Sequence, residues 1–192
     1  MADGNVTPAI VALGANLPAD TGRTPTETLE AALAILSQDA DLSVAAVSRW
    51  YRTGAIPIGS GPDFVNGAAI FKTTLSPQPM LDRLHEVERT LGRTRGTRWE
   101  PRTCDLDLIA MGSSVFPDQQ TVTSWVQLSL QQAMKASPKG LVLPHPRMQE
   151  RAFVLIPLKD IAAEWRHPVL DLTVAEMCAR LPAEAQAGVT PL

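Results

Sequence analysis

Apolar residues recur along this chain at two alternating spacings, and the alternation predicts a series of strands and helices. Ala9–Leu13 is a continuous apolar run of strand length, read as a strand buried on both faces and broken by the loop Gly14-Ala15-Asn16-Leu17-Pro18. From Thr26 the period changes: Leu29, Ala32, Leu33 and Leu36 form a helical stripe, opened by Thr24, Pro25 and Thr26 and ending near Asp39. Leu42–Arg52 returns to extended character with β-branched Val44 and Val47, and a loop rich in glycine and proline follows from Gly54 to Pro62. Phe64–Thr73 is the next strand. Ser76 and Pro77 then open a second helix as cap and first helical residue, Leu81, Leu84, Val87 and Leu91 give it a core face, and Gly92 ends it. Cys104–Met111 is a further strand.

This order, strand-helix-strand-strand-helix-strand, predicts a ferredoxin-like α+β fold, βαββαβ, with both helices on one face of an antiparallel sheet. The rest reads as C-terminal additions within a single domain spanning residues 1–192. Residues 116–140 form an insertion whose middle, Trp125–Met134, carries an irregular helical stripe. Leu141–Pro146 is extended, Arg147–Asp160 helical or turn-like, Leu172–Leu181 an amphipathic helix, and Pro182–Leu192 a frayed tail.

Composition narrows the function. A chain of 192 residues with 45% hydrophobic and 19% charged residues suits one soluble domain with a sizeable core. A net charge of −3 with one tyrosine and four phenylalanines argues against a nucleic-acid surface. Cys104 and Cys178 lack metal-ligand spacing, and the N-terminal apolar run has neither the charge of a signal peptide nor the length of a membrane span. A reduced cytoplasmic setting and a monomer, with no membrane or nucleic-acid partner, are expected.

The candidate chemistry sits in Arg98–Ile109. Asp105 and Asp107 project from one face of a strand, roughly 6.5–7 Å apart, with Leu106 and Leu108 facing a core. Two such acids need a compensating cation, and a divalent ion is one candidate. Arg89, Arg93, Arg95, Arg98 and Arg102 precede them with Glu100 as the only acid in that run. Guanidinium groups suit phosphate oxygens, so a polyphosphate with magnesium fits both halves; a structural Asp–Arg network fits them too.

The run Arg98-Trp99-x-Pro101-Arg102-x-x-Asp105-Leu106-Asp107 resembles the signature of the 6-hydroxymethyl-7,8-dihydropterin pyrophosphokinase family. Leu13–Leu17, Tyr51-Arg52-Thr53, Asp63–Asn66, Gly92–Arg95, Leu143–Met148 and Arg151-Ala152-Phe153 are similar to its other motifs, in order, over roughly residues 9 to 170. The resemblance implies transfer of pyrophosphate from ATP to the hydroxymethyl oxygen of a dihydropterin, releasing AMP, in folate biosynthesis. It implies two Mg2+ ions on Asp105 and Asp107, with Arg93, Arg95 and Arg102 completing the catalytic set. On ATP it implies Glu88, Arg95, Arg98, Trp99, Leu108, His145 and Arg151. On the pterin it implies Thr53, Gly54, Ile56, Phe64, Asn66, Trp99 and Phe153, with Gly92 and Gly96 flanking a mobile lid. Without the resemblance, Phe64 and Phe153 read as core and Asn66 as a loop or bulge residue.

The chain departs from the family pattern at Glu100, where glycine is usual, at Gly54, where proline is common, and at Gly140 and Val142 ahead of the histidine motif. The insertion is longer than a compact member needs; one expectation places Trp125 and its neighbours at an edge of the ATP site. Competing readings are a ferredoxin-like small-ligand or RNA-binding module without catalysis, and a family member inactivated through Glu100. The paired aspartates oppose the sensor reading, and the absence of an aromatic-rich strand surface opposes RNA.

Overall fold

The computed structural model describes residues 6–18, 22–55, 61–93, 103–128, 132, 136 and 138–192. Its elements are β1 (Thr7–Ala15), α1 (Pro25–Leu36), β2 (Leu42–Val47), β3 (Tyr51–Thr53), β4 (Phe64–Thr73), α2 (Pro77–Thr90), β5 (Asp105–Met111) and α3 (Gln119–Val126). A 3-10 turn (Met148–Glu150), α4 (Ala152–Ala162), α5 (Val174–Ala179), α6 (Ala183–Ala187) and β6 (Val189–Pro191) complete them. The six strands form one sheet in the order β5-β1-β4-β3-β6, with β2 also on β4, and every pairing is antiparallel. This is the ferredoxin-like arrangement, with its second strand divided in two.

The division corrects the expectation of one extended run from Leu42 to Arg52. β2 and β3 pair with successive stretches of the same edge of β4, Leu42 opposite Thr73 and Tyr51 opposite Asn66. Between them Ser48 keeps the ladder closed: its N–H donates to Ala68 O (2.9 Å), and Ala68 N–H donates to its Oγ (2.9 Å). Trp50 turns onto the sheet there, and Gly67 makes room, because a Cβ on Gly67 would lie 2.6 Å from Trp50 Cε3.

The sheet has a core on each face. On one, Leu29 and Leu36 of α1 and Met80 and Leu84 of α2 pack against Val11, Leu13, Phe71, Leu106 and Leu108. On the other, Val154, Leu155 and Leu158 of α4 and Met177 of α5 pack against Ile10, Tyr51, Ala68 and Ile109. A bulge in β5, where Val11 faces Leu108 but Ile10 faces Ala110, turns both Ile109 and Ala110 to the α4 side.

Local chemistry sets the helix ends. Thr24 and Glu27 form a capping box at α1, and Thr173 and Glu176 form another at α5. Pro77 opens α2 as expected, but the Ser76 side chain makes no capping hydrogen bond. In the insertion Asp118 accepts from Thr121 N–H (2.8 Å) and starts α3 at Gln119, ahead of the expected Trp125–Met134 segment, most of whose second half lies outside the described residues. Strand β1 runs through Gly14 and Ala15, which were expected in a loop. Pro182–Leu192 is not frayed: it forms α6 and then β6, paired with β3, with Val189 9% exposed in the α4-side core. Among the described residues no helix is long and apolar enough to cross a membrane.

Candidate active site

Alternation along β5 sends Leu106 and Leu108 into the α1/α2 core and Asp105 and Asp107 to the opposite face. Across the sheet Asp105 is opposite Gly14 and Asp107 opposite Ala12, while Gly14 is opposite Asn66 on β4. Gly14 thus leaves the space between Asp105 and Asn66 clear. A Cβ there would stand 3.3 Å from Asn66 Oδ1 and 3.9 Å from Asp105 Cβ. These residues, with Ala12, Phe153 and Val154, line one small cleft.

The end of α2 delivers a cation to this row. Gly92 takes φ +84°, and the Arg93 N–H donates to Glu88 O (3.0 Å) while the Gly92 N–H donates to Arg89 O (3.2 Å). This Schellman turn brings Arg93 back over Glu88. The Arg93 guanidinium pairs with Glu88 Oε1 and reaches Asp105 Oδ1 at 2.7 Å. Glu88 also accepts the Leu106 N–H (2.7 Å), so one buried carboxylate fixes both the arginine and the strand segment between the two aspartates. Burial pushes Glu88 up to about 7, against the pull of Leu106 N–H and Arg93. Burial would lower Arg93, but Asp105 first and Glu88 next outweigh it and raise its pKa above the ordinary value.

A second arginine approaches from the other side. Arg151, at the N-terminus of α4, has Nη1 3.5 Å from Asp107 Oδ2, and its guanidinium carbon lies 5.7 Å from the centre of the Phe153 ring. His145 is anchored by its N–H to Ile109 O (2.7 Å), and its Nδ1 accepts the Arg147 N–H (3.2 Å). Burial first, then the Arg151 and Arg147 charges, lower its pKa to about 3 and keep it neutral.

At the far end of the row Asn66, 5% exposed, donates from Nδ2 to Thr53 Oγ1 (2.8 Å). That bond fixes which way the amide faces and leaves Oδ1 over Gly14. Phe64 is opposite Thr53 and, like Phe153, half-buried, while Gly54 is exposed beyond the strand end.

The structure therefore gathers Glu88, Arg93, Asp105, Asp107, Arg151 and Phe153, with Asn66 and Thr53 adjoining. The Leu108 side chain is 3% exposed inside the α1/α2 core, on the face away from the aspartates, which leaves its backbone as the part that can meet a nucleotide. Ile56, Arg95, Arg98, Trp99 and Arg102, and with them Gly96 and Glu100, lie outside the described residues. Sequence reasoning missed Gly14 as part of the site. Its signal was a glycine inside an otherwise apolar strand, which marks a close approach.

As a metal-ligand set the residues fit a hard divalent ion. Asp105 and Asp107 offer only oxygens, and among the described residues no cluster of three or more His, Cys, Asp or Glu stands ready to enclose an ion. Such a pair suits an ion that keeps water and phosphate oxygens in its shell.

A sequence profile of the 7,8-dihydro-6-hydroxymethylpterin-pyrophosphokinase (HPPK) family matches residues 10–163. The 2-amino-4-hydroxy-6-hydroxymethyldihydropteridine pyrophosphokinase of Pseudomonas aeruginosa is 37% identical over 158 residues, covering 82% of this chain and 82% of that one. The enzyme of the same name from Synechocystis is 35% identical over 183 residues, 95% of this chain and 80% of its own. In three dimensions the chain is similar to Plasmodium falciparum HPPK-DHPS, with a TM-score of 0.66 at 14% identity. It covers 94% of this chain but 44% of that longer one, so the likeness speaks to fold. By the reach of the profile and of these relatives, the chain belongs to the 7,8-dihydro-6-hydroxymethylpterin-pyrophosphokinase family.

Proposed function

We propose that this protein transfers pyrophosphate from ATP to the hydroxymethyl group of 6-hydroxymethyl-7,8-dihydropterin, releasing AMP, as a step of folate biosynthesis. One observation carries the reading in structural terms: two carboxylates stand on one strand face, each with an arginine against it, and one of them shares a cross-strand row with an oriented amide. A new bond forms between the hydroxymethyl oxygen and the β-phosphorus, the bond from that phosphorus to the AMP oxygen breaks, and the hydroxyl proton is lost. Chemistry of this kind depends on positioning and charge stabilisation more than on a covalent nucleophile.

Asp105 and Asp107 are the proposed holders of two Mg2+ ions, which when bound neutralise phosphate charge. Arg93 and Arg151 stand at the rims of that site and supply cations to the phosphates, with Glu88 holding Arg93 in place. Arg95, Arg98, Arg102 and Trp99 are assigned to the same phosphates and to the boundary between the substrates. His145 is proposed on the nucleotide as a neutral imidazole. Asn66 reads the amide edge of the pterin, Phe64 and Phe153 flank its ring, and Thr53, Gly54 and Ile56 close that end. A cytoplasmic monomer is the proposed working form.

The test is AMP release from ATP. It is expected only with the pterin alcohol and a divalent ion together, and it should stop on chelation. AMP formed equally without the pterin would remove the proposal. No feature of the described strand surface favours RNA over this reading.

A further inference from the structure

The C-terminal strand is the one strand of the sheet that lies wholly outside the family profile, since the matched region ends at residue 163 and β6 begins at Val189. β6 is nevertheless joined to the proposed pterin end of the site. β3 is three residues long, and it is held on one edge by β4 and on the other by β6. Thr53 is opposite Phe64 on one side and Val189 on the other; Tyr51 is opposite Asn66 and Pro191. The row that begins at Asp105 therefore runs through Gly14, Asn66 and Tyr51 to Pro191.

Side chains reinforce the ladder. Val189 and Tyr51 belong to the same apolar cluster, packed with Leu155 and Leu158 of α4, and Leu192 N–H donates to Trp50 O (3.0 Å). Tyr51 is tied to α4 by its hydroxyl, which donates to Asp160 Oδ2 (2.8 Å). A three-residue edge strand leading into the loop from Gly54 has little of its own to fix it; a strand bonded on both edges is held in register. What that register sets is the Thr53 hydroxyl, the acceptor that orients the Asn66 amide.

We propose that residues 189–192 are a positioning element for the pterin site: β6 braces β3 so that Thr53 holds Asn66 in its substrate-reading orientation. The inference rests on the proposed function and adds to it a role for a segment outside the family match. It predicts an effect on one substrate only, because the aspartates and Arg93 are anchored from β5 and α2 and not from β3.

Two variants of the full chain test it: one ending at Gly188, and Val189→Ser, which keeps the strand backbone but removes its apolar anchor. Steady-state kinetics with both substrates varied should show KM for the pterin alcohol raised about tenfold in the truncated chain, the loss expected for one misplaced hydrogen bond. KM for ATP should stay within about twofold in the same measurement. Val189→Ser should shift in the same direction by less. Hydrogen exchange at Arg52 and Thr53 should quicken in both variants, with that of β1 and β5 unchanged. Unaltered pterin KM in a truncated chain whose β3 amides exchange faster overturns the inference. So does an equal rise in both KM values, and so does a truncated chain too unfolded to assay combined with a fully normal pterin KM in Val189→Ser. An unaltered wild-type chain that makes no AMP from ATP and the pterin alcohol instead refutes the function itself.

Discussion

Leu106 and Asp107 are neighbours on one strand, yet Leu106 is 2% exposed among the side chains of α1 and α2 while the Asp107 side chain is 41% exposed on the other face. Two helices seal the first face along the strand. On the second, α4 seals the part around Ile10, Ala68 and Ile109, and only its first turn, through Phe153 and Val154, borders the cleft at Asp105 and Asn66. The reason is energetic: ionised carboxylates sealed under a helix without full compensation cost several kcal/mol each. A sheet that must both hold a fold together and grip phosphate and metal can divide those duties between its faces. If so, substitutions on the two faces of β5 should separate activity from stability.

The largest separation is expected at the aspartates. Asp105→Ala and Asp107→Ala should each lower turnover by at least about a thousandfold, as loss of a preorganised charge at a phosphoryl site does, while thermal unfolding stays near that of the parent. A variant that is folded and fully active would break the division of duties at its centre. The opposite result is expected next door. Leu106→Ala and Leu108→Ala should cost about 3 kcal/mol in denaturant unfolding, the usual cost of a cavity in a packed core, with kcat nearly kept at temperatures where the variant remains folded.

Glu88 links the faces, and its test is a pH profile. Its pKa is raised from 4.5 to about 7, so between those values the native state holds a proton that the unfolded chain has released. Stability from this group is full below pH 4.5 and is lost as pH rises through 7. Glu88→Gln should flatten that slope, recovering on the order of 2 kcal/mol at pH 8 relative to pH 5, as read by unfolding at both pH values. His145 has the opposite sign. With its pKa lowered from 6.5 to about 3, its contribution is present above 6.5 and lost as pH falls, so the pH 5 point must be compared within each variant.

The sequence made the architecture legible where one rule acted alone. Helical stripes at Leu29–Leu36 and Leu81–Leu91 and the alternation at Asp105–Leu108 needed only local spacing, and they place the aspartates and both core leucines correctly. What failed depended on partners distant in the chain. The C-terminal segment looked frayed because its few apolar residues find their partners on β3 and α4, far back in the sequence. Gly14 read as a loop signal because the reason for a glycine there is a carboxylate and an amide on two other strands.

That glycine gives the smallest and most discriminating test, because Gly67 is its counterpart on the other face. The two residues sit in neighbouring rows of the β1–β4 ladder, Gly14 opposite Asn66 and Leu13 opposite Gly67. Neither requires a positive φ, so alanine is judged by space alone. At Gly67 the new methyl would collide with the Trp50 ring, which packs on the α1/α2 core, and overpacking of this kind costs about 2 kcal/mol; the expected reading is a lower unfolding midpoint with normal substrate affinity. At Gly14 the methyl meets Asn66 Oδ1 at 3.3 Å, close enough to turn the amide but open toward the cleft. Alanine suits a strand better than glycine by roughly 0.5–1 kcal/mol, so Gly14→Ala should unfold no earlier than the parent. Its KM for the pterin alcohol should nonetheless rise about fivefold, in line with partial loss of one oriented hydrogen bond, with KM for ATP unchanged. A Gly14→Ala protein that loses stability and keeps its pterin KM would mean that this end of the face, too, is core.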